Sequence, residues 1–210
     1  MRIRTSHRLS VALAIAALAS ASLVAQGRTV RIIQTNAAGD NSHVIDPVTN
    51  KVVAVIEGIE VPHGVSASHD GTRLYITNES NHSLDVVDTK TWKVTKQIHL
   101  TGRPNNVMVS KDDRKVYVGI AQAPGAVDVI DAAALTNAKS VKVDGAVHNV
   151  YVTPDGKYAV SGSVQTGVIS VIDTKTDTLA WQLKMDSGIR PMIFDTNKDG
   201  STRNVYVQLS

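Results

Sequence analysis

The sequence predicts an all-β chain built from repeats of one four-stranded unit, and three observations carry that expectation. The first is a recurring tetrapeptide: Val44-Ile45-Asp46-Pro47, Val86-Val87-Asp88-Thr89, Val129-Ile130-Asp131-Ala132 and Val171-Ile172-Asp173-Thr174, whose aspartates stand 42, 43 and 42 residues apart. The second is a separate register with the same period. Tyr75 and Tyr117 are 42 apart, and Val65, Val107 and Val150 are spaced by 42 and 43. The third is the absence of any helical 3.6 period after the first two dozen residues. Units of this length with four strands each are the blades of a β-propeller.

The N-terminus stands apart from the repeats. Arg2, Arg4 and Arg8 precede an apolar run from Leu9 to Ala19, and Ala19-Ser20-Ala21 follows with small residues at the positions a signal peptidase reads. This is the pattern of a secretory signal over residues 1–21, with cleavage as late as Ala25 as the alternative. The run is too short to span a bilayer, which takes about 20 residues. Three of the 22 basic residues lie in this leader and none of the 19 acidic ones does, so the remaining chain is electrically balanced. No Lys/Arg cluster survives to meet phosphates, which argues against a nucleic-acid partner. There are no cysteines, which excludes disulfides, thiolate metal sites and thiol catalysis. A periplasmic or extracellular protein with no membrane span after leader removal is the expectation.

Each repeat then reads strand by strand. In the unit that begins near Ile59, Val65 to Ser68 alternates apolar and small polar residues. His69 to Thr72 is a turn in which Gly71 suits a positive φ. Leu74 to Thr77 and Leu84 to Val87 are the second and third strands, and Trp92 to Leu100 is the fourth. The repeating aspartate closes the third strand, where its carboxylate can accept the N–H groups of the following turn, so it reads as a turn residue and not a metal ligand. Leu179, Trp181, Leu183 and Met185 show the period-2 face of a half-buried strand. Trp92 and Trp181 fall at different repeat positions and read as packing between blades. Aromatic residues make up only 4% of the chain, so valine and isoleucine must form the flat blade faces.

The blades are placed at 59–101, 102–144 and 145–187, with partial blades at 27–58 and 188–210. Val30 to Thr35 matches a second strand, so the repeats begin within a unit. Arg190 to Phe194 and Val205 to Gln208 match a first and a second strand. Three whole and two partial units predict an incomplete ring, because about seven blades of this length need on the order of 300 residues. Open blade faces of that kind predict self-association.

These residues resemble the YVTN family of β-propeller repeats. The name tetrapeptide is nearly intact at Tyr75-Ile76-Thr77-Asn78, and weaker versions begin at Tyr117 and Tyr206. The family's turn and strand elements match Thr153-Pro154-Asp155-Gly156-Lys157 and Val171 to Thr174. The resemblance implies an exported bacterial protein with lactonase-like and surface-layer relatives, and it leaves the activity open.

Propellers bind ligands at the mouth of the central channel, on loops that lead into the innermost strands. The residues two before Val65, Val107, Val150 and Met192 are His63, Asn105, His148 and Arg190. Equivalent positions around one axis converge, so these four are the candidate site, flanked by Glu60, Asn106 and Asn149. The leading expectation is a non-catalytic scaffold that binds a small polar or anionic ligand, or a protein partner, with no cofactor. A metal held by His63 and His148 is a lesser reading, since only two blades supply imidazole. The alternative is a lactonase-like or metal-dependent enzyme completed by further blades. The resemblance implies a metal held by carboxylates and an asparagine there, and none of the four positions carries Asp. Of the remaining histidines, His43 and His82 are placed in loops between second and third strands, His69 in a turn and His99 on an outer strand.

Overall fold

A computed structural model describes residues 29–210. The leader expected at 1–21 lies outside the described residues. Within them the chain is all-β: 17 strands in five antiparallel sheets, with no helix. The first sheet joins β1 (Ile32–Thr35), β2 (Asn41–Asp46) and β3 (Lys51–Glu57). Three four-stranded sheets follow. The second sheet is β4 (Pro62–Ala67), β5 (Arg73–Asn78), β6 (Ser83–Asp88) and β7 (Lys93–His99). The third is β8 (Pro104–Val109), β9 (Lys115–Ile120), β10 (Ala126–Asp131) and β11 (Thr136–Lys142). The fourth is β12 (Asn149–Val152), β13 (Tyr158–Gly162), β14 (Val168–Asp173) and β15 (Thr178–Lys184). The fifth pairs β16 (Ile189–Thr196) with β17 (Thr202–Leu209).

Each sheet is a meander in sequence order, and successive sheets pack face to face. The side chains of one strand alternate between its two neighbours. Val86 and Ile98 of the second sheet therefore meet Val107, Val109 and Val116 of the third. Val129 and Val141 of the third meet Val150 and Ile172 of the fourth. Val44 and Ile56 face Leu74, Ile76 and Val87 across the first interface. Burial thus comes from stacking between blades, as a repeat architecture requires.

The recurring aspartate behaves as its position predicts. The N–H groups of Lys90 and Thr91 donate to Asp88 at 3.0 and 2.9 Å. Those of Ala133 and Ala134 donate to Asp131 at 2.8 Å each. Those of Lys175 and Thr176 donate to Asp173 at 2.8 and 2.9 Å. The same turn places its fourth residue at positive φ in each of the first four sheets: Asn50, Trp92, Leu135 and Asp177. Trp92 and Leu135 tolerate this left-handed backbone because both pack against inter-blade cores.

Two expectations are corrected. Trp181 does not pack between blades: it is 51% exposed, and all seven residues of β15 are exposed. Among the described residues the fifth sheet consists of its first two strands, so it has no outer strand to cover β15 on that side. His43 is not in a loop but within β2, paired with Gln34 and Val55. The β1–β2 connection is short, and the ladder runs through His43.

Candidate functional site

The candidate positions fall where the innermost strands are irregular. In β4, Pro62 pairs with Asn78 and Val65 with Ile76, so His63 and Gly64 together oppose one residue. β8 repeats this between Pro104 and Val107, at Asn105 and Asn106. β16 repeats it between Ile189 and Met192, at Arg190. Such a bulge turns a side chain away from the regular pleat, and it recurs where binding residues are aimed out of a sheet. The fourth position differs: His148 precedes β12, with its N–H donating to Gly162 O at 2.9 Å.

Hydrogen bonds from the adjacent blade fix the bulges. Thr77 Oγ1 accepts from Gly64 N at 2.8 Å and donates to Asn105 O at 2.7 Å. Thr35 Oγ1 makes the equivalent bond to His63 O at 2.9 Å. The innermost strands approach so closely that a Cβ on Gly64 would sit 2.8 Å from Asn105 O. Asn106, adjacent to the site in sequence, is engaged in scaffolding: its Oδ1 accepts from Val150 N at 3.1 Å.

Three of the four candidates meet. Asn105, His148 and Arg190 line one cavity of 240 Å³ beside these irregular innermost strands, together with Arg103 and Gln165. Ala121, Val147 and Val164 supply apolar wall. The side chains come from three successive blades. His148 Nδ1 is buried there with no hydrogen-bond partner, and Asn149 Nδ2 beside it is likewise unpartnered. Among the described residues Arg190 has no carboxylate partner, and no Asp or Glu lines the cavity.

His63 stands beside this cavity and not in its wall. Its Nδ1 lies 2.7 Å from Glu79 Oε2. The other oxygen of Glu79 receives the Arg103 guanidinium, which also donates to Ala121 O at 2.9 Å. Burial pushes the Glu79 carboxyl up, but the hydrogen bonds and charges of His63 and Arg103 outweigh it and hold the group below its ordinary value. Sequence reasoning missed Glu79 and Arg103. The available signal was strand order: connections between second and third strands reach the same rim as the loops into the innermost strands.

A larger cavity, 310 Å³, lies against Thr101, Gly102, Pro124 and Lys142. It gathers one charged side chain and none of the candidate positions.

The fold is that of a β-propeller, and one rim of its blades carries a polar cavity. The chain belongs to the Cytochrome D1 heme domain family, whose profile matches residues 20–192. No curated protein matches by sequence. Among solved structures the chain is similar to Kuenenia stuttgartiensis hydrazine synthase, with 25% identity and a TM-score of 0.73 over 81% of this chain. The match spans 50% of that relative's length. The propeller implied by the YVTN resemblance therefore stands, while the family shown is the D1 one.

The family corrects the expectation of no cofactor, since its description names a heme domain. The donor set at the mouth fits such a group. His148 lines the cavity with an imidazole, a side chain that ligates iron in other heme proteins, and the Arg190 guanidinium, with no carboxylate partner, suits ring carboxylates. The 240 Å³ cavity is below the roughly 300–1,000 Å³ of a complete ligand pocket.

Proposed function

We propose that the chain is an exported β-propeller protein that holds heme across the mouth of its central channel. The observation that carries this reading is the convergence of His148, Arg190, Asn105 and Arg103 from successive blades on one cavity, in a chain of the D1 heme domain family. When bound, the heme supplies a redox-active iron. His148 offers an imidazole to that iron. Arg190 offers a fixed charge and planar donors to a ring carboxylate, and Asn105 and Gln165 offer hydrogen bonds at the edge. Ala121, Val147 and Val164 exclude water from that edge.

Hemin titration followed by absorbance tests this reading. Wild type shifts the Soret band with saturable binding, and Arg190→Ala weakens it about tenfold, the loss of one charge-assisted hydrogen bond. His148→Ala changes the position of the bound Soret band itself. Wild-type protein that leaves free hemin's spectrum unchanged, or variants that bind as wild type does, would overturn the assignment.

A further inference from the structure

We propose that Glu79 is a positioning residue that makes the two imidazoles and the two guanidiniums of this rim unequal, leaving the lone pair of His63 on Nε2 and the uncompensated charge on Arg190; this rests on the heme reading. The Glu79 side chain is 15% exposed, and its two oxygens are divided between His63 and Arg103. Those contacts favour the ionised form, which only accepts hydrogen bonds. The contact at 2.7 Å therefore requires His63 Nδ1 to carry the proton. In the neutral ring that leaves the lone pair on Nε2. A carboxylate behind an imidazole fixes its tautomer and ring orientation and strengthens the opposite nitrogen as a ligand or base.

His148 has no such backing, since its Nδ1 is buried without a partner. The two histidines therefore differ in hydrogen bonding: Nδ1 of His63 is held by a carboxylate and Nδ1 of His148 is not. The arginines divide the same way. Arg103 reaches the cavity wall, but Glu79 balances its charge. Arg190 faces the same cavity with no acidic neighbour in its lining. The uncompensated positive charge of the mouth is thus on the Arg190 side, and an anionic edge of the ligand is drawn there, away from Glu79.

Imidazole nitrogen NMR of the full chain without ligand tests the positioning directly. Wild type is expected to show His63 protonated at Nδ1 and unprotonated at Nε2. In Glu79→Ala that pattern relaxes towards the Nε2–H form while His148 is unchanged. In hemin titration Glu79→Ala is expected to weaken binding about tenfold or more. A wild-type His63 in the Nε2–H form overturns the proposal without any variant. So does an unaltered tautomer in folded Glu79→Ala. If wild type fails to bind hemin while the tautomer pattern behaves as stated, the heme reading fails and the positioning role stands.

Discussion

The two rims of these blades use polar side chains differently. On the rim opposite the mouth, carboxylates are saturated by their own turns. Asp70 accepts from Ser68 Oγ at 2.6 Å and from Thr72 N at 2.9 Å. Asp112 accepts from Ser110 Oγ, and Asp155 from Thr153 Oγ1, both at 2.7 Å. Cations there bridge blades: Arg73 donates to Ala132 O at 2.9 Å, and Lys115 to Thr174 O and Asp177 at 2.7 Å each. At the mouth, His148 Nδ1 is buried and unpartnered, and Arg190 has no counter-charge among the described residues. A buried polar group costs free energy unless it is bonded. A saturated rim is therefore scaffold, and on the reading proposed above the open groups of the other rim are where a ligand contributes the missing partners.

The sharpest way to break this comparison is at Asp177. It holds Lys115 and receives the Tyr117 hydroxyl at 3.0 Å, and it sits at positive φ. Asp177→Ala loses both bonds and places alanine in a left-handed turn. A loss of about 2 kcal/mol in denaturant unfolding is expected, with hemin binding by the folded protein unchanged. A loss of binding without loss of stability would make that rim functional.

Acid sharpens the comparison next. Hydrogen bonds from Ser68 and Thr72 hold Asp70 down at about 2. Burial pushes Asp155 up, but the bonds from Thr153, Lys157 and Thr202 outweigh it and bring it to about 2 as well. Carboxyls held low in the folded state contribute stability that is complete above their ordinary value near 3.8 and lost as pH falls towards 2. The thermal midpoint should be level above about pH 4 and drop between 4 and 2. A midpoint that stays flat through that window would mean these turns do not hold the fold together.

The smallest expected effect lies at the mouth. Arg190→Gln should change stability by no more than about 0.5 kcal/mol, because the side chain bonds to nothing the fold needs. Unfolding of the ligand-free variant in denaturant decides this. A loss as large as that of Asp177→Ala would move Arg190 from the ligand to the scaffold.

The blade fold was legible because its determinants are local. A period of 42 or 43 residues, alternating valines and an aspartate whose turn lies within three residues need no distant partner. The convergence of Asn105, His148 and Arg190 was legible for a related reason: repetition turns sequence spacing into rotation about one axis. Other features were not. His63 lies outside the shared cavity because Glu79, sixteen residues away, takes its Nδ1. Trp181 is apolar in a strand with the right period, yet exposed, since burial of a blade face depends on the next blade. Fully buried Asp85 and Asp128 stand at one repeat position in otherwise apolar strands. Their donors are Ser83, Asn78 and Gln97 for the first, and Thr101 and Asn137 for the second. Sequence by itself determined strands, turns and which residues reach the rim, because backbone propensity and period act within a few residues. Tertiary structure alone decided which of those side chains are satisfied and which are left open, because a hydrogen-bond partner can come from any element the fold brings near.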